Sequence, residues 1–223
     1  MGSAQLWRDV PDRLARQTGC AALVYSRYGN GRAPVLREAR TVNYMHEEAR
    51  TLHRVLERLQ INDAILIGHS DGASIALIAA GAGDRHIRAC VLLAPHVFVE
   101  DHSLHGIAKA RDLYESTDLH AKLARYHRDA DATFYGWNRI WLDPAFYAWN
   151  IRPIVKNVRI PLFAIQGADD EYGTFAQIEA LHAETQGPLE ILHLANCGHS
   201  PQRDRTDDVL RAIGGYVGRI TAV

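Results

Sequence analysis

The chain has 223 residues, which suits one domain with a small insertion and leaves little room for a second full-sized domain. Hydrophobic residues make up 47% of it and charged residues 23%, a composition that excludes intrinsic disorder. The 25 Lys and Arg residues against 26 Asp and Glu leave a formal charge of -1, so the chain has no basic field to attract a nucleic acid.

The sequence also argues against a membrane protein and against a disulfide framework. Its longest apolar stretch, residues 75–82, is far shorter than the roughly 20 residues that cross a bilayer. The cysteines Cys20, Cys90 and Cys197 are scattered and show no CxxC spacing. We therefore expect a cytoplasmic protein with reduced thiols that binds neither nucleic acid nor a membrane.

Short apolar runs alternate with amphipathic segments, which is typical of parallel strands joined by crossover helices. Each run is almost continuously apolar, as expected of a strand that helices cover on both faces. The predicted fold class is thus α/β, a mostly parallel sheet with helices on both faces. The predicted strands are Ala21–Ser26, Ala64–Ile67, Cys90–Ala94, Pro161–Gln166 and Leu189–Ala195.

Helices are predicted between these strands. An apolar stripe at spacings of three and four predicts a helix over residues 44–59, and the run that follows Gly72 predicts one over residues 73–80. The sequence from Thr174 to Gln177 has the pattern of a capping box that opens a helix. A last helix is predicted after Thr206.

Residues 97–153 break the alternation, because about 55 residues pass without a strand signal. We interpret them as a helical cap, inserted into a core formed by residues 1–96 and 154–223. Ten of the 18 aromatic residues lie in this segment. Trp137 and Trp141, four residues apart on a predicted helix face, are the candidates for substrate contact, and packing of the helix on the sheet is the alternative for each.

The sharpest motif is Gly68-His69-Ser70-Asp71-Gly72, which lies between a predicted strand and a predicted helix. G-x-S-x-G in that context is the pattern of a nucleophile elbow, a tight turn that exposes a serine hydroxyl. The helix N-terminus behind Ser70 would stabilise negative charge on an attacked carbonyl oxygen, with the Asp71 backbone N–H as one donor.

A serine nucleophile needs a base and a carboxylate, and both follow later strands. Asp169 and Asp170 follow the predicted strand 161–166, and His199 follows the strand 189–195. His69 adjoins Ser70 on a sharp turn, so we expect its side chain to face away from the hydroxyl. The H-x-x-H pair His102 and His105 fits a solvated helix better than a metal site, and no metal is expected.

These motifs together resemble the α/β-hydrolase fold, in the capped branch that includes esterases, enol-lactonases, meta-cleavage-product hydrolases and cofactor-free haloperoxidases. The resemblance extends over nearly the whole chain, from residues 27–31 through the elbow to Gly198-His199. The family pattern G-x-x-D implies that Asp170 rather than Asp169 is the triad acid. It implies further that His199 is the base, that Ser70 is the nucleophile and that no cofactor is needed.

The chain departs from the family at its start. The segment that resembles the family's first helix begins at Leu6, so the first three strands and the His-Gly loop have no counterpart. The third of those strands would lie between Ala21–Ser26 and Ala64–Ile67. We expect the first of these two to pair directly with the second, another chain to supply a strand, or the sequence to be a piece of a longer protein. The missing loop also carries the family's second oxyanion donor.

The resulting expectation is a serine hydrolase that cleaves a small ester, a lactone or an activated C–C bond through an acyl-enzyme. The alternatives are a weakly active or non-catalytic small-molecule binding protein, and an acyltransferase or perhydrolase that uses the same serine. The substrate is not specified by the sequence, and a homo-oligomer is left open.

Overall fold

The computed structural model describes residues 2–222, which divide into two compact units. Residues 43–98 and 150–222 contain all the strands and are called the sheet unit. Residues 2–42 and 99–149 are called the helical unit. The predicted division into core and cap, with the cap at 97–153, stays a prediction.

The regular elements follow one another along the chain as helices and strands of an α/β protein, as predicted. The strands are β1 (Ala64–His69), β2 (Ile87–Leu93), β3 (Leu162–Gly167) and β4 (Leu189–Leu194). The α-helices are α1 (Val10–Thr18), α2 (Tyr44–Arg58), α3 (Asp71–Gly81), α4 (Asp101–Ser116), α5 (Leu119–Ala124), α6 (Ala130–Trp141), α7 (Arg152–Val155), α8 (Ala176–Glu184), α9 (Pro201–Asp204) and α10 (Thr206–Thr221).

The sheet unit is built on four parallel strands in the order β1-β2-β3-β4. Parallel neighbours require crossover connections, and α3 supplies the one between β1 and β2. The two central strands β2 and β3 are almost fully buried, whereas β1 is half-buried and β4 mostly exposed. The prediction that every strand is covered on both faces is therefore wrong for β1 and β4, because they are the edges of this sheet.

The predicted strand Ala21–Ser26 is also wrong, because the structure assigns no strand to these residues. Leu23 and Val24 are 52% and 37% exposed. Residues 21–26 therefore do not supply a strand beside β1, which has β2 as its neighbour in the sheet. The direct pairing that the sequence left open is not what the chain adopts.

Three helix predictions are confirmed and one is wrong in detail. Helices α2, α3 and α10 occupy the predicted segments, and the predicted apolar stripe of α2 is buried. Helix α8 begins at Ala176 without a side-chain cap from Gln177. Instead, the Gln177 side chain accepts a hydrogen bond from the backbone N–H of Val97 at 2.7 Å. The Gln177 side chain thus makes a tertiary contact and does not form the predicted capping box.

The helical unit contains α1, α4, α5 and α6, with short 3-10 helices at Ala4–Trp7 and Pro144–Phe146. Aromatic rings form much of its interior. Tyr114 and Phe134 stack with their ring centroids 3.8 Å apart, and Trp141 packs on Phe146 with centroids 5.1 Å apart. Within the described residues, no helix combines the length and the hydrophobicity that a membrane span needs.

Candidate active site

Three loops that follow parallel strands carry the predicted catalytic residues. Ser70 follows β1, Asp170 follows β3 and His199 follows β4, all within the sheet unit. Because the carboxyl ends of parallel strands share one edge of the sheet, the fold directs all three loops to the same side. This is the edge at which open α/β sheets form their ligand sites.

Ser70 lies on a strained turn. Its backbone has φ 55° and ψ -123°, and helix α3 begins at the next residue. A non-glycine residue rarely adopts such a conformation, and in folded proteins this kind of strain clusters at functional positions. The Ser70 N–H donates to the carbonyl of Leu93 at 2.9 Å, which fixes the turn against the end of β2.

The two glycines of the motif have different roles. A Cβ at Gly68 would collide with the backbone carbonyl of Gly72, so the strand and the helix pass each other there only because Gly68 has no side chain. A Cβ at Gly72 would meet open space. The motif has a glycine two residues to either side of Ser70, but a close backbone approach requires glycine only at Gly68.

The N-terminus of α3 lies directly behind Ser70. The first backbone N–H groups of a helix have no partner within the helix, and the helix dipole adds partial positive charge there. The Asp71 side chain is buried and accepts a hydrogen bond from the Tyr44 hydroxyl at 2.8 Å, which anchors the first residue of α3 to the start of α2. The Asp71 N–H is therefore held on a rigid element.

Asp170 is a buried carboxylate with a full set of donors. Its Oδ1 accepts from the backbone N–H groups of Tyr172 and Gly173 at 2.8 and 3.1 Å, and its Oδ2 accepts from Gln166 Nε2 at 2.8 Å. Burial acts to raise the pKa of Asp170, but the hydrogen bonds from His199 and from the Tyr172 backbone lower it below the ordinary value. The carboxylate is thus ionised as well as fixed in place.

His199 meets that carboxylate through one ring nitrogen. Its Nδ1 lies 2.8 Å from Asp170 Oδ1 and 3.0 Å from Oδ2, and the imidazole side chain is 11% exposed. Because a carboxylate only accepts hydrogen bonds, Nδ1 carries the proton in the neutral ring and Nε2 has the free lone pair. The neighbouring Asp169 is exposed, so the structure brings Asp170 and not Asp169 to the imidazole.

His69 connects the elbow to the His199 loop, a role that the sequence analysis did not foresee. Its Nε2 donates to the backbone carbonyl of His199 at 2.6 Å, and the two rings lie with centroids 5.0 Å apart. Burial, reinforced by the nearby His199 imidazole, lowers the pKa of His69 to about 3. His69 is therefore a neutral hydrogen-bond donor that positions the His199 backbone. Its place next to Ser70 in the sequence was the one feature that could have indicated this role.

The tryptophans singled out in the sequence lie in the helical unit. Trp141 is 1% exposed and packs against Phe146 and Trp149 of the same unit, so it belongs to the interior of that unit. Trp137 is partly exposed and contacts the Phe134 ring at 5.8 Å between centroids. Of the pair, Trp137 keeps more surface for a ligand, and its role in substrate contact stays a prediction.

Comparison with known proteins agrees with this architecture. The model of the family described as the alpha/beta hydrolase family matches residues 2–212, so the chain belongs to that family. The predicted family and the predicted enzyme class, an α/β-fold hydrolase, are confirmed. No curated protein sequence matches the chain.

Several solved structures share the fold. One, from a study of carboxylesterases of Nitrososphaera gargenis, is 18% identical with a TM-score of 0.78 over 99% of this chain and 88% of that one. The enol-lactonase of Burkholderia xenovorans is 16% identical with a TM-score of 0.73, over 97% and 87% of the two chains. A monoacylglycerol lipase of Paleococcus ferrophilus is 16% identical with a TM-score of 0.70, over 99% and 91%. At these identities the similarity shows the fold alone.

Substitution of the two elbow glycines by alanine tests the steric asymmetry. Gly68→Ala should lower the free energy of unfolding by at least about 1–3 kcal/mol, because the new methyl group meets backbone that cannot move aside. Gly72→Ala should be neutral or stabilising by up to about 1 kcal/mol, because alanine favours the helix and its methyl group meets nothing. Urea denaturation of both variants measures the difference, and equal losses would contradict the assigned close approach.

The depressed pKa of His69 predicts a specific loss of stability in acid. Below pH 6.5 the unfolded chain binds a proton at His69 that the folded protein accepts only near pH 3, so the free energy of unfolding falls as the pH falls through that window. We expect a contribution of about 2–4 kcal/mol, less than the full shift implies because part of the ring contacts solvent.

The His69→Asn variant, which lacks this titration, should show a shallower decline in stability between pH 6.5 and 3 than the wild type. Urea denaturation at a series of pH values measures both slopes. Parallel curves for the two proteins would mean that His69 titrates normally in the folded state.

Proposed function

We propose that this α/β hydrolase cleaves a small carboxylic ester, lactone or activated C–C bond through an acyl-enzyme on Ser70. The observation that carries the proposal is the contact of His199 Nδ1 with the buried Asp170 carboxylate at 2.8 Å. That contact leaves Nε2 as the basic nitrogen, and a base in this state is what a serine nucleophile requires. The strained turn at Ser70 supports the same role for the hydroxyl.

The reaction then runs in two stages. His199 Nε2 takes the proton from the Ser70 hydroxyl as Oγ attacks the substrate carbonyl carbon, and the electron pair of the carbonyl moves to its oxygen. The Asp71 N–H stabilises this oxyanion. As the carbonyl re-forms, the bond to the leaving group breaks and the leaving group takes the proton from His199.

Water completes the cycle by the same chemistry. His199 Nε2 removes a proton from water as the water oxygen attacks the ester carbonyl on Ser70. The bond to Ser70 Oγ then breaks, and Oγ takes the proton back from the imidazole. Asp170 keeps its charge throughout and stabilises the imidazolium that forms twice per cycle. If an alcohol, a thiol or hydrogen peroxide replaced water, the same ester would give acyl transfer or a peracid.

A fluorophosphonate probe tests the nucleophile, because it labels serines with an activated hydroxyl. We expect stoichiometric labelling located at Ser70 by peptide mass spectrometry, and loss of labelling in Ser70→Ala. The turnover of a p-nitrophenyl acetate substrate should fall by at least about 1000-fold in the same variant. Ser116→Ala, which removes an exposed serine of α4, is the control and should match the wild type.

Folded protein that fails to react at Ser70 would favour a non-catalytic binding protein. Labelling at another serine would assign the nucleophile to that serine and contradict the role of Ser70. Addition of methanol or hydrogen peroxide as acceptor, followed by product analysis, separates hydrolysis from acyl transfer and peracid formation.

The adjacent carboxylates provide a matched pair of variants for the acid. Asp170→Asn should reduce turnover by about 100-fold or more, because an amide in that place can hold the ring in the wrong tautomer. Asp169→Asn should keep wild-type turnover, since this side chain is exposed. Steady-state kinetics of both variants decides between them, and a larger loss in Asp169→Asn would assign the acid role to Asp169.

A further inference from the structure

A second cluster of titratable side chains lies in the sheet unit, away from the proposed active site. His53 belongs to α2, and Asp84 and His86 belong to the loop that leads from α3 into β2. The ligand atoms of these three side chains lie within 4.8 Å of one another. Because the loop enters β2 at its amino end, the cluster lies at the opposite end of that strand from the elbow and the His199 loop.

We propose that His53, Asp84 and His86 form a binding site for one divalent transition-metal ion. Two imidazole nitrogens and one carboxylate oxygen are ligands that Zn²⁺ and its analogue Co²⁺ accept in proteins, with water in a fourth position. A hard cation such as Mg²⁺ or Ca²⁺ would require more oxygen ligands than the cluster offers.

The distances within the cluster require a small rearrangement of the ligands to admit the ion. His53 Nδ1 lies 2.9 Å from Asp84 Oδ2, and His86 Nδ1 lies 2.7 Å from Asp84 Oδ1. With metal–ligand bonds of about 2.0–2.1 Å, neighbouring ligands of a tetrahedral ion are about 3.3 Å apart. Each imidazole nitrogen must therefore move about half an ångström away from Asp84, whereas the two ligand atoms that lie farthest apart, at up to 4.8 Å, must come closer. The ion takes the place of the protons on the two imidazoles.

Burial divides the cluster into a fixed part and an adjustable part. The side chains of Asp84 and His86 are 5% and 4% exposed, and the His86 backbone N–H donates to Asp84 Oδ1 at 3.0 Å. The His53 side chain is 43% exposed on the surface of α2. The loop thus presents two preset ligands, while the third has room to move and leaves an entry path for the ion and its water.

The surroundings of His53 resemble the support that metal-binding histidines usually have. Its other ring nitrogen, Nε2, lies 3.5 Å from Glu57 Oε1. A carboxylate on the nitrogen opposite the metal orients the ring and makes the ligating nitrogen more basic.

The competing explanation is that Asp84 joins α2 to the loop through hydrogen bonds alone. Asparagine substitutions separate the two explanations. The amide of asparagine can still donate a hydrogen bond to Asp84, but it is a poor replacement for an imidazole ligand. His53→Asn and His86→Asn should therefore lose metal binding and keep much of the structural contact.

The experiment is a titration of chelator-treated, tag-free protein with Co²⁺, followed by the visible absorption bands of the bound ion and by the thermal unfolding midpoint. We expect saturation at one equivalent and a rise in the midpoint, because an ion that binds only the folded state stabilises it. The dissociation constant should rise at least tenfold in His53→Asn and in His86→Asn.

Two control variants exclude other histidines. His105→Asn removes an exposed histidine of α4, and His199→Asn removes the imidazole of the proposed active site. Both should bind Co²⁺ with the wild-type constant, and Ser70 labelling of wild-type protein should be unaffected by one equivalent of the ion.

Absence of saturable binding, or equal binding in the wild type and in His53→Asn, would overturn the proposal. Loss of binding in His199→Asn would also overturn it, because the ion would then belong to the active site. If His86→Asn does not fold, the more exposed His53→Asn decides alone.

Discussion

The hydrogen bond between His199 Nδ1 and Asp170 is the contact on which the proposed chemistry depends. It determines which imidazole nitrogen is basic, and it places a negative charge where an imidazolium would form. A buried carboxylate is stable only with donors around it, and Gln166, Tyr172 and Gly173 supply them. These donors come from the end of β3 and from the loop that follows it. They fix the Asp170 carboxylate, and the carboxylate in turn fixes the His199 imidazole.

Close backbone approaches bring the three loops together. A Cβ at Gly167 would collide with the carbonyls of Cys197 and Gly198. The end of β3, which leads into the Asp170 loop, can therefore contact the His199 loop only because residue 167 is glycine. Gly68 allows the same approach between β1 and α3 at the elbow. The His69 imidazole then links the elbow to the carbonyl of His199. Close backbone approaches at glycines and the His69 hydrogen bond thus hold the loops of the proposed site in place.

The residues of the proposed site were selected from local sequence context. Ser70, Asp170 and His199 each follow a strand, and the family pattern favoured Asp170 over Asp169. The positioning role of His69 was missed, because its acceptor is a backbone atom 130 residues away. The cluster of His53, Asp84 and His86 was missed for the same reason, since its members come from two separate segments.

The errors in the fold prediction have a similar origin. Residues 21–26 have the composition of a strand, but composition does not supply a neighbouring strand, and the segment is irregular and mostly exposed. The apolar character of β1 and β4 did not reveal that they are the edges of the sheet. At Gln177, a local capping pattern was overridden by hydrogen bonding to Val97. Local patterns predict elements well, whereas the partners of those elements depend on the whole chain.

The most direct measurement is a crystal structure of the protein inactivated with diethyl p-nitrophenyl phosphate. The account predicts phosphorus bonded to Ser70 Oγ, the phosphoryl oxygen accepting a hydrogen bond from the Asp71 N–H, and His199 Nε2 within about 3 Å of an oxygen on the adduct. It also predicts that His199 Nδ1 stays on Asp170. An adduct on another residue, or an imidazole turned away from Ser70 with its contact to Asp170 broken, would contradict the account.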